Sequence, residues 1–425
     1  MATIIICTAL LVEIVLTAYC IKSKANKIRF KSFIRIGAFI GFIALTLFSI
    51  VEWGRRWYGL AFLLFIWAML GVVALLHGNK KEKPYKRGRL IRRRILAFLL
   101  IVIVTVPAVI FPQYTLPNST GEFKVATSVY TYTDDSRLET YTNSGEKRQV
   151  TVEFWYPQNA EGKYPLVLFT HGLFGIAMSN ESTYKELASN GYIVGSVSHP
   201  YISMYSKTVD GKTIIVSGEY MKETSVFNSD AGEDLIYDAF AELQKVRVAD
   251  VNFVLDTVLC KAGEDDPVYR LIDVTKLGLF GHSMGGATMS AVSRTRNDIG
   301  AVVNLDAPLF GELSGLQNGH AVLREDIYPI PLLNVYSDDL WELMEPDPMY
   351  AGNVRLLSDP PDYVINIHIN GAKHLSFTDL SLASPILADI LQGGKAKIKP
   401  TYCLEIMNKA ILEFFDSFLK DIDNI

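Results

Sequence analysis

Four long apolar runs fill the first quarter of the chain, at about Thr3–Ile21, Phe33–Val51, Trp57–Leu76 and Ile95–Phe111. Each approaches the roughly 17–25 residues that an α-helix needs to cross a bilayer, so the pattern predicts four transmembrane helices over residues 1–111. A cleaved export signal would start on basic residues and carry a single short apolar core. Here no Lys or Arg precedes the first run, and three more runs follow. The fourth, containing Pro107, is the shortest.

Residues 112–123, with the polar stretch Asn118–Gly121, read as a linker into a second domain over 124–425. Thr127–Thr133 and Gln149–Tyr156 bunch β-branched and aromatic residues as antiparallel edge strands do. From Leu166 the rhythm becomes short, almost unbroken apolar runs: Leu166–Thr170, Tyr192–Val197, Leu277–Phe280, Ala301–Leu305, Leu332–Tyr336 and Tyr363–Ile369. Runs of that kind suit strands buried on both faces of a parallel sheet. Helical patterns lie among them at Ser182–Ser189, Gly232–Leu259, Gly286–Arg294 and Tyr402–Leu419. Alternation of this sort predicts one α/β domain with a mostly parallel central sheet. The polar, aromatic-rich stretch His199–Asn228 does not fit the alternation and reads as an insertion, either a lid or a plain surface excursion.

Charge separates the same two parts. Residues 1–111 hold 17 Lys+Arg against 3 Asp+Glu, whereas 112–425 hold 24 against 42. The basic residues gather between runs one and two (Lys22, Lys24, Lys27, Arg29, Lys31) and between runs three and four (Lys80 to Arg94). Basic loops stay on the cytoplasmic side, which puts both termini and the acidic domain outside the cytoplasm, in a multi-pass protein of the cell membrane. Placed between apolar runs, these loops fit inner-leaflet phospholipid rather than nucleic acid. Glu13 lies inside run one, where a charge is expensive; a helix–helix contact or nearby water would account for it. Cys260 and Cys403 are the cysteines of the second domain, and a disulfide between them is an expectation for an oxidising compartment that spacing does not fix.

The candidate chemistry begins at Gly281-His282-Ser283-Met284-Gly285, directly after the apolar run Leu277–Phe280. A strand that ends in G-x-S-x-G and runs into a helix is a nucleophile elbow, which lifts the serine hydroxyl clear of the backbone. A serine needs a base, and the base needs an acid to orient it. On this type of sheet the chain order is Ser, then Asp or Glu, then His. Of the later histidines, His368 lies within a strand pattern and His320 in a polar stretch without a strand end. His374 follows the last strand on a loop, where parallel sheets gather catalytic groups. For the acid, Asp306 and Asp338 each end an apolar run, and position alone leaves both open. His171 and His282 read as packing residues beside the oxyanion loop and the serine.

Pro165–Gly172 with Leu173-Phe174-Gly175, Tyr184–Val197, Val246–Val258, Gly281–Thr288, Leu305-Asp306-Ala307 and Lys373-His374-Leu375-Ser376-Phe377 together resemble the secreted platelet-activating-factor acetylhydrolase family, over about Val150–Leu380. The resemblance implies an α/β-hydrolase fold, with Asp306 as the acid, His374 as the base and the backbone amides of Leu173 and Met284 as oxyanion donors. The membrane helices and the His199–Asn228 insertion depart from that family's pattern.

The expected function is a membrane-anchored serine carboxylic-ester hydrolase working through an acyl-enzyme. The resemblance implies short acyl esters, on phospholipids or other lipids. No H-E-x-x-H, paired C-x-x-C or phosphate-cradling glycine loop calls for a metal or nucleotide cofactor. Acyl transfer by the same intermediate, and a non-catalytic sensor on the same fold, are the competing readings. Natural substrate and oligomeric state are not legible.

Overall fold

The computed structural model of the protein describes residues 2–25, 27–77, 87–345 and 347–420. The chain forms two compact units: one of residues 1–115 with 382–387, the other of residues 116–381 with 388–425.

The first unit contains the helices α1 (Ala2–Lys22), α2 (Ile28–Leu47), α3 (Tyr58–His77) and α4 (Arg87–Ile110). All four are long and apolar enough to cross a membrane. Two begin earlier than the apolar pattern predicts. α2 takes in Ile28–Ser32, and α4 takes in Arg89–Arg94, because Arg and Lys are good helix formers and propagate a helix past the end of an apolar run. Pro107 is accommodated inside α4, close to its C-terminal end. Of the basic segment between runs three and four, residues 78–86 lie outside the described residues.

The second unit is built on an eight-stranded sheet: β1 (Val125–Leu138), β2 (Lys147–Pro157), β3 (Tyr164–Thr170), β4 (Ile193–Ser198), β5 (Ile272–His282), β6 (Ala301–Leu305), β7 (Leu332–Tyr336) and β8 (Val364–His368). Their order is β1-β2-β4-β3-β5-β6-β7-β8. β1 and β2 pair antiparallel, and the six strands from β4 to β8 run parallel. Side chains of β3, β4, β6 and β7 are buried on both faces, as their unbroken apolar runs require. Leu168, Leu279 and Val302 pack with Val251, Val254 and Val258 of the long helix Glu233–Lys261. The alternate residues Phe169 and Phe280 stack together at 4.7 Å, and Tyr184 of the helix Glu181–Ser189 lies 4.6 Å from Trp155.

Three asparagines in register tie neighbouring strands together. Asn304 donates to Asn334 Oδ1 at 3.2 Å, and Asn334 donates to Asn366 Oδ1 at 3.0 Å. A buried amide is stable only when paired, and this row pairs its members across β6, β7 and β8. Part of the predicted linker is already bonded into the unit: Phe123 N–H donates to Ser189 O at 3.0 Å, and Thr120 N–H to Glu186 Oε2 at 2.9 Å. Cys260 is exposed, Cys403 is buried in the last helix (Pro400–Leu419), and both are free thiols; the Cys260–Cys403 disulfide is therefore not formed.

The stretch predicted as an insertion folds into a hairpin (Tyr205–Lys207 with Thr213–Ile215) and two short helical turns. It is no loose excursion. Ile202 and Tyr220 are buried in a cluster with Tyr141, Leu243 and Met284, against which Leu173 and Phe174 pack.

Candidate active site

Because β3 sits between β4 and β5, the chain leaves β3 in one direction and later returns on its other side. That reversal opens a crevice at the carboxyl ends of the strands. The loop at His171 follows β3, Ser283 follows β5, Asp306 follows β6, Ser337 follows β7 and His374 follows β8.

Ser283 adopts φ 55°, ψ −130°, a conformation that strains any residue with a side chain. Its neighbours make the turn possible. A Cβ on Gly281 would run into the backbone of Gly285, and one on Gly285 into the carbonyl of Thr170. The glycines of the motif are thus spaces for close backbone approach. Ser283 N–H donates to Leu305 O at 2.8 Å, which fixes the elbow against the strand that delivers Asp306.

Asp306 is also left-handed, at φ 53°, a region that Asp tolerates better than most residues. Its carboxylate is buried and faces three donors: Ser337 N–H at 2.6 Å, Ser337 Oγ–H at 2.8 Å and His374 Nδ1 at 2.7 Å. With Nδ1 committed to Asp306, Nε2 is the ring nitrogen left for the serine. The His374 backbone is held from both sides, its N–H by Asp339 Oδ2 at 3.0 Å and its carbonyl by His282 Nε2 at 2.9 Å. The His282 and His374 rings lie 4.6 Å apart, which brings His374 beside the residue that precedes Ser283.

Asp338 does something else. It accepts from His368 Nε2 at 3.0 Å and from Gly371 N–H at 3.1 Å, anchoring the root of the loop that carries His374. Asp306 touches His374, whereas Asp338 touches His368.

The two backbone amides expected as oxyanion donors lie in the loop after β3 and at the start of the helix after Ser283. Met284 is the first residue of the helix Met284–Thr295, where a backbone N–H has no intrahelical acceptor. The Leu173 amide donates to no other described residue. Its loop lies against Ser283: a Cβ on Gly172 would sit 3.0 Å from Ser283 Cβ.

Sequence reasoning missed what holds this loop. Arg247, fully buried, donates to the His171 carbonyl and to Thr170 Oγ, the latter at 3.0 Å. Thr170 Oγ also meets His199 Nε2 at 2.7 Å, and His199 Nδ1 meets Asp250 Oδ2 at 2.8 Å. Arg148 completes the set with 2.6 Å bonds to Asp250 and Glu139. Burial would raise the Asp250 carboxyl, but Arg148 and His199 hold it well below the usual carboxylate range. Burial, reinforced by Arg247, pushes His199 down to about 4 and His171 well below the ordinary imidazole value. Burial and His374 do the same to His282, so these three packing histidines stay neutral.

Asp250→Asn is therefore expected to destabilise the protein by about 3–5 kcal/mol, since it leaves Arg148 buried beside one carboxylate fewer. Denaturant midpoints measure it. The native contribution of a carboxyl with a lowered pKa is present above about pH 4 and disappears as pH falls through the folded value. The deficit should accordingly be full at pH 7 and shrink in acid; equal midpoints for the two proteins at pH 7 would remove Asp250 from its structural role.

Comparison with known proteins follows the same outline. Residues 111–216 and 266–424 match the sequence model of the family described as platelet-activating factor acetylhydrolase, isoform II. The unmatched interval, 217–265, holds Tyr220, Arg247 and Asp250. The platelet-activating factor acetylhydrolase of Cavia porcellus is 22% identical over 295 residues, covering 64% of this chain and 61% of that protein. That of Canis lupus familiaris is 24% identical over 293 residues, covering 63% and 60%. The chain thus spans about three fifths of the length of the curated relatives it matches. Among solved structures, a ferulic acid esterase from Streptomyces cinnamoneus superposes with a TM-score of 0.53 at 18% identity, over 72% of this chain and 93% of that one. The likeness in shape shows the fold, that of the α/β hydrolases.

Proposed function

The chain belongs to the platelet-activating factor acetylhydrolase, isoform II, family, and from that membership we propose that it is a serine carboxylic-ester hydrolase carried on a membrane anchor. The Asp306–His374 contact beside the strained Ser283 carries the reading. Ser283 Oγ attacks the ester carbonyl while His374 Nε2 takes its proton. Asp306 holds the imidazole in the tautomer that leaves Nε2 open, and stabilises the imidazolium that forms. The amides of Leu173 and Met284 receive the oxyanion, whose charge develops at the positive end of the helix starting at Met284. His374 then protonates the leaving alcohol, and water releases the acyl group by the same steps reversed.

The substrates proposed are short acyl esters, on phospholipids or other lipids. The apolar cluster of Tyr220, Met284, Leu173 and Phe174 beside the nucleophile supports an apolar substrate. The test is hydrolysis of p-nitrophenyl esters from acetate to laurate by the full chain. Turnover that falls with acyl length supports the reading. A folded protein inert to every ester and refractory to a fluorophosphonate would overturn it, and release of acyl-acceptor adducts in place of free acid would redirect it to acyl transfer.

The four apolar helices support anchoring, and the basic residues between them support a catalytic unit outside the cytoplasm. The protein is expected to resist alkaline carbonate extraction. In sealed vesicles of known sidedness, added protease should degrade the catalytic unit only where the outer face is exposed. Protection of that unit in right-side-out vesicles would invert the topology.

A further inference from the structure

The four-helix unit contains a charged cluster that an anchor does not need. Arg94 donates to Glu13, and Arg35 NH2 lies 3.7 Å from the other oxygen of the same carboxylate. Glu13 and Arg94 are buried. Lys31 is one turn from Arg35 on α2, adding a further cation to that face. Of the acidic residues in the first 111, Glu52 pairs with Arg56 at 3.1 Å, and Glu82 lies outside the described residues. Among the described residues of the first 111, Glu13 is therefore the one carboxylate facing two guanidiniums. Three of their N–H donors, Arg35 Nε, Arg94 Nε and Arg94 NH2, are buried with no acceptor. Uncompensated charge and unpaired donors in an apolar interior are costly, and an anion at Arg35, which lines the adjoining cavity, would answer the excess charge and the Arg35 Nε–H.

The cluster borders a cavity of about 630 Å³. Glu13, Arg35 and Thr8 are its polar lining, and most of the rest is apolar, including Val12, Ala38, Phe42 and Leu64. Trp67 closes the polar end, its ring 4.4 Å from the Arg35 guanidinium. A volume of that order suits one small-molecule ligand, and a nearly apolar lining with a few convergent polar groups is how such sites are built.

We propose that this unit binds one single-chain anionic amphiphile, a long-chain carboxylate or a monoacyl phosphate, with its head on Arg35 and its chain along the apolar cavity. Arginine offers the planar pair of donors that carboxylate and phosphate oxygens accept. A neutral lipid of the same length would leave the excess charge unanswered. The proposal rests on the bilayer reading of the four helices, which carbonate extraction tests independently of any ligand.

The full chain, in nanodiscs of zwitterionic lipid, would be photolabelled with diazirine-bearing forms of a long-chain fatty acid and of a monoacylglycerol phosphate. At least one should label peptides spanning residues 4–12 or 34–45, resisting competition by the alcohol of equal chain length. The better of the two probes identifies the head group. Arg35→Gln should weaken labelling about tenfold, the effect of losing a charge-assisted hydrogen bond. Gly41 lines the cavity and a Cβ there meets open space, so Gly41→Leu should block the chain while leaving every charge in place. It keeps the test decisive if the Arg35 variant fails to fold. Labelling confined to other peptides, equal competition by the alcohol, or full labelling of a correctly folded Gly41→Leu protein would overturn the proposal.

Discussion

Ser283→Ala is expected to lower kcat for p-nitrophenyl acetate by roughly 10⁶-fold, the order seen when a nucleophile of this kind is removed. The same variant should lose fluorophosphonate labelling and keep its thermal midpoint. The separation of the two effects follows from the geometry. Ser283 precedes the helix Met284–Thr295, where a serine often caps the helix, but its side chain makes no cap hydrogen bond. Truncation therefore removes no structural contact, and a loss of activity with unchanged stability can only come from chemistry. Residual catalysis over water, from the amides and substrate binding alone, should remain. A variant that retains most of its activity would remove Ser283 as nucleophile and, with it, the acyl-enzyme mechanism.

What the sequence made legible was local. The strand–G-x-S-x-G–helix pattern can be read because its glycines answer contacts made within five residues and with one neighbouring loop. His374 was legible from its place just past an apolar run. The strands were legible because burial on both faces writes an unbroken apolar run, and β3 to β8 all stand on such runs. What could not be read depends on partners far apart in sequence. Arg148 and Asp250 are 102 residues apart, and Arg247 and Thr170 are 77 apart. Nothing near Arg247 in the sequence distinguishes a buried arginine that holds the loop after β3 from one on a solvated helix face. At the start of α4, helix propensity carries the helix past the apolar run, and a distant contact adds to it. Apolarity stops at Ile95, but Arg94 has a buried partner on α1 that the local pattern does not contain.

The two candidate aspartates show the same limit and give the sharpest test of the site. Both end strands, so strand position could not choose between them. The structure brings one of them, Asp306, to His374. Asp306 turns left-handed directly off β6 and points at His374, whereas Asp338 follows Ser337 into the short helix Asp338–Leu343 and reaches His368 and Gly371. Asp306→Asn should consequently lower kcat by about 10⁴-fold. An asparagine keeps a carbonyl oxygen for Ser337 N–H, and its amide can donate to Ser337 Oγ or to His374 Nδ1, so no buried group need lose a partner. The fold survives, but His374 then accepts at Nδ1 and carries its proton on Nε2, the nitrogen that must receive the serine proton. Base catalysis fails for want of the right tautomer. Asp338→Asn alters only the anchor of the loop, and its effect on kcat should stay within about a hundredfold, the order a small displacement of a positioned group costs. Measuring kcat and thermal midpoint for both variants decides the matter: a large loss in the Asp338 variant beside a mild one in the Asp306 variant would reverse the assignment of the acid.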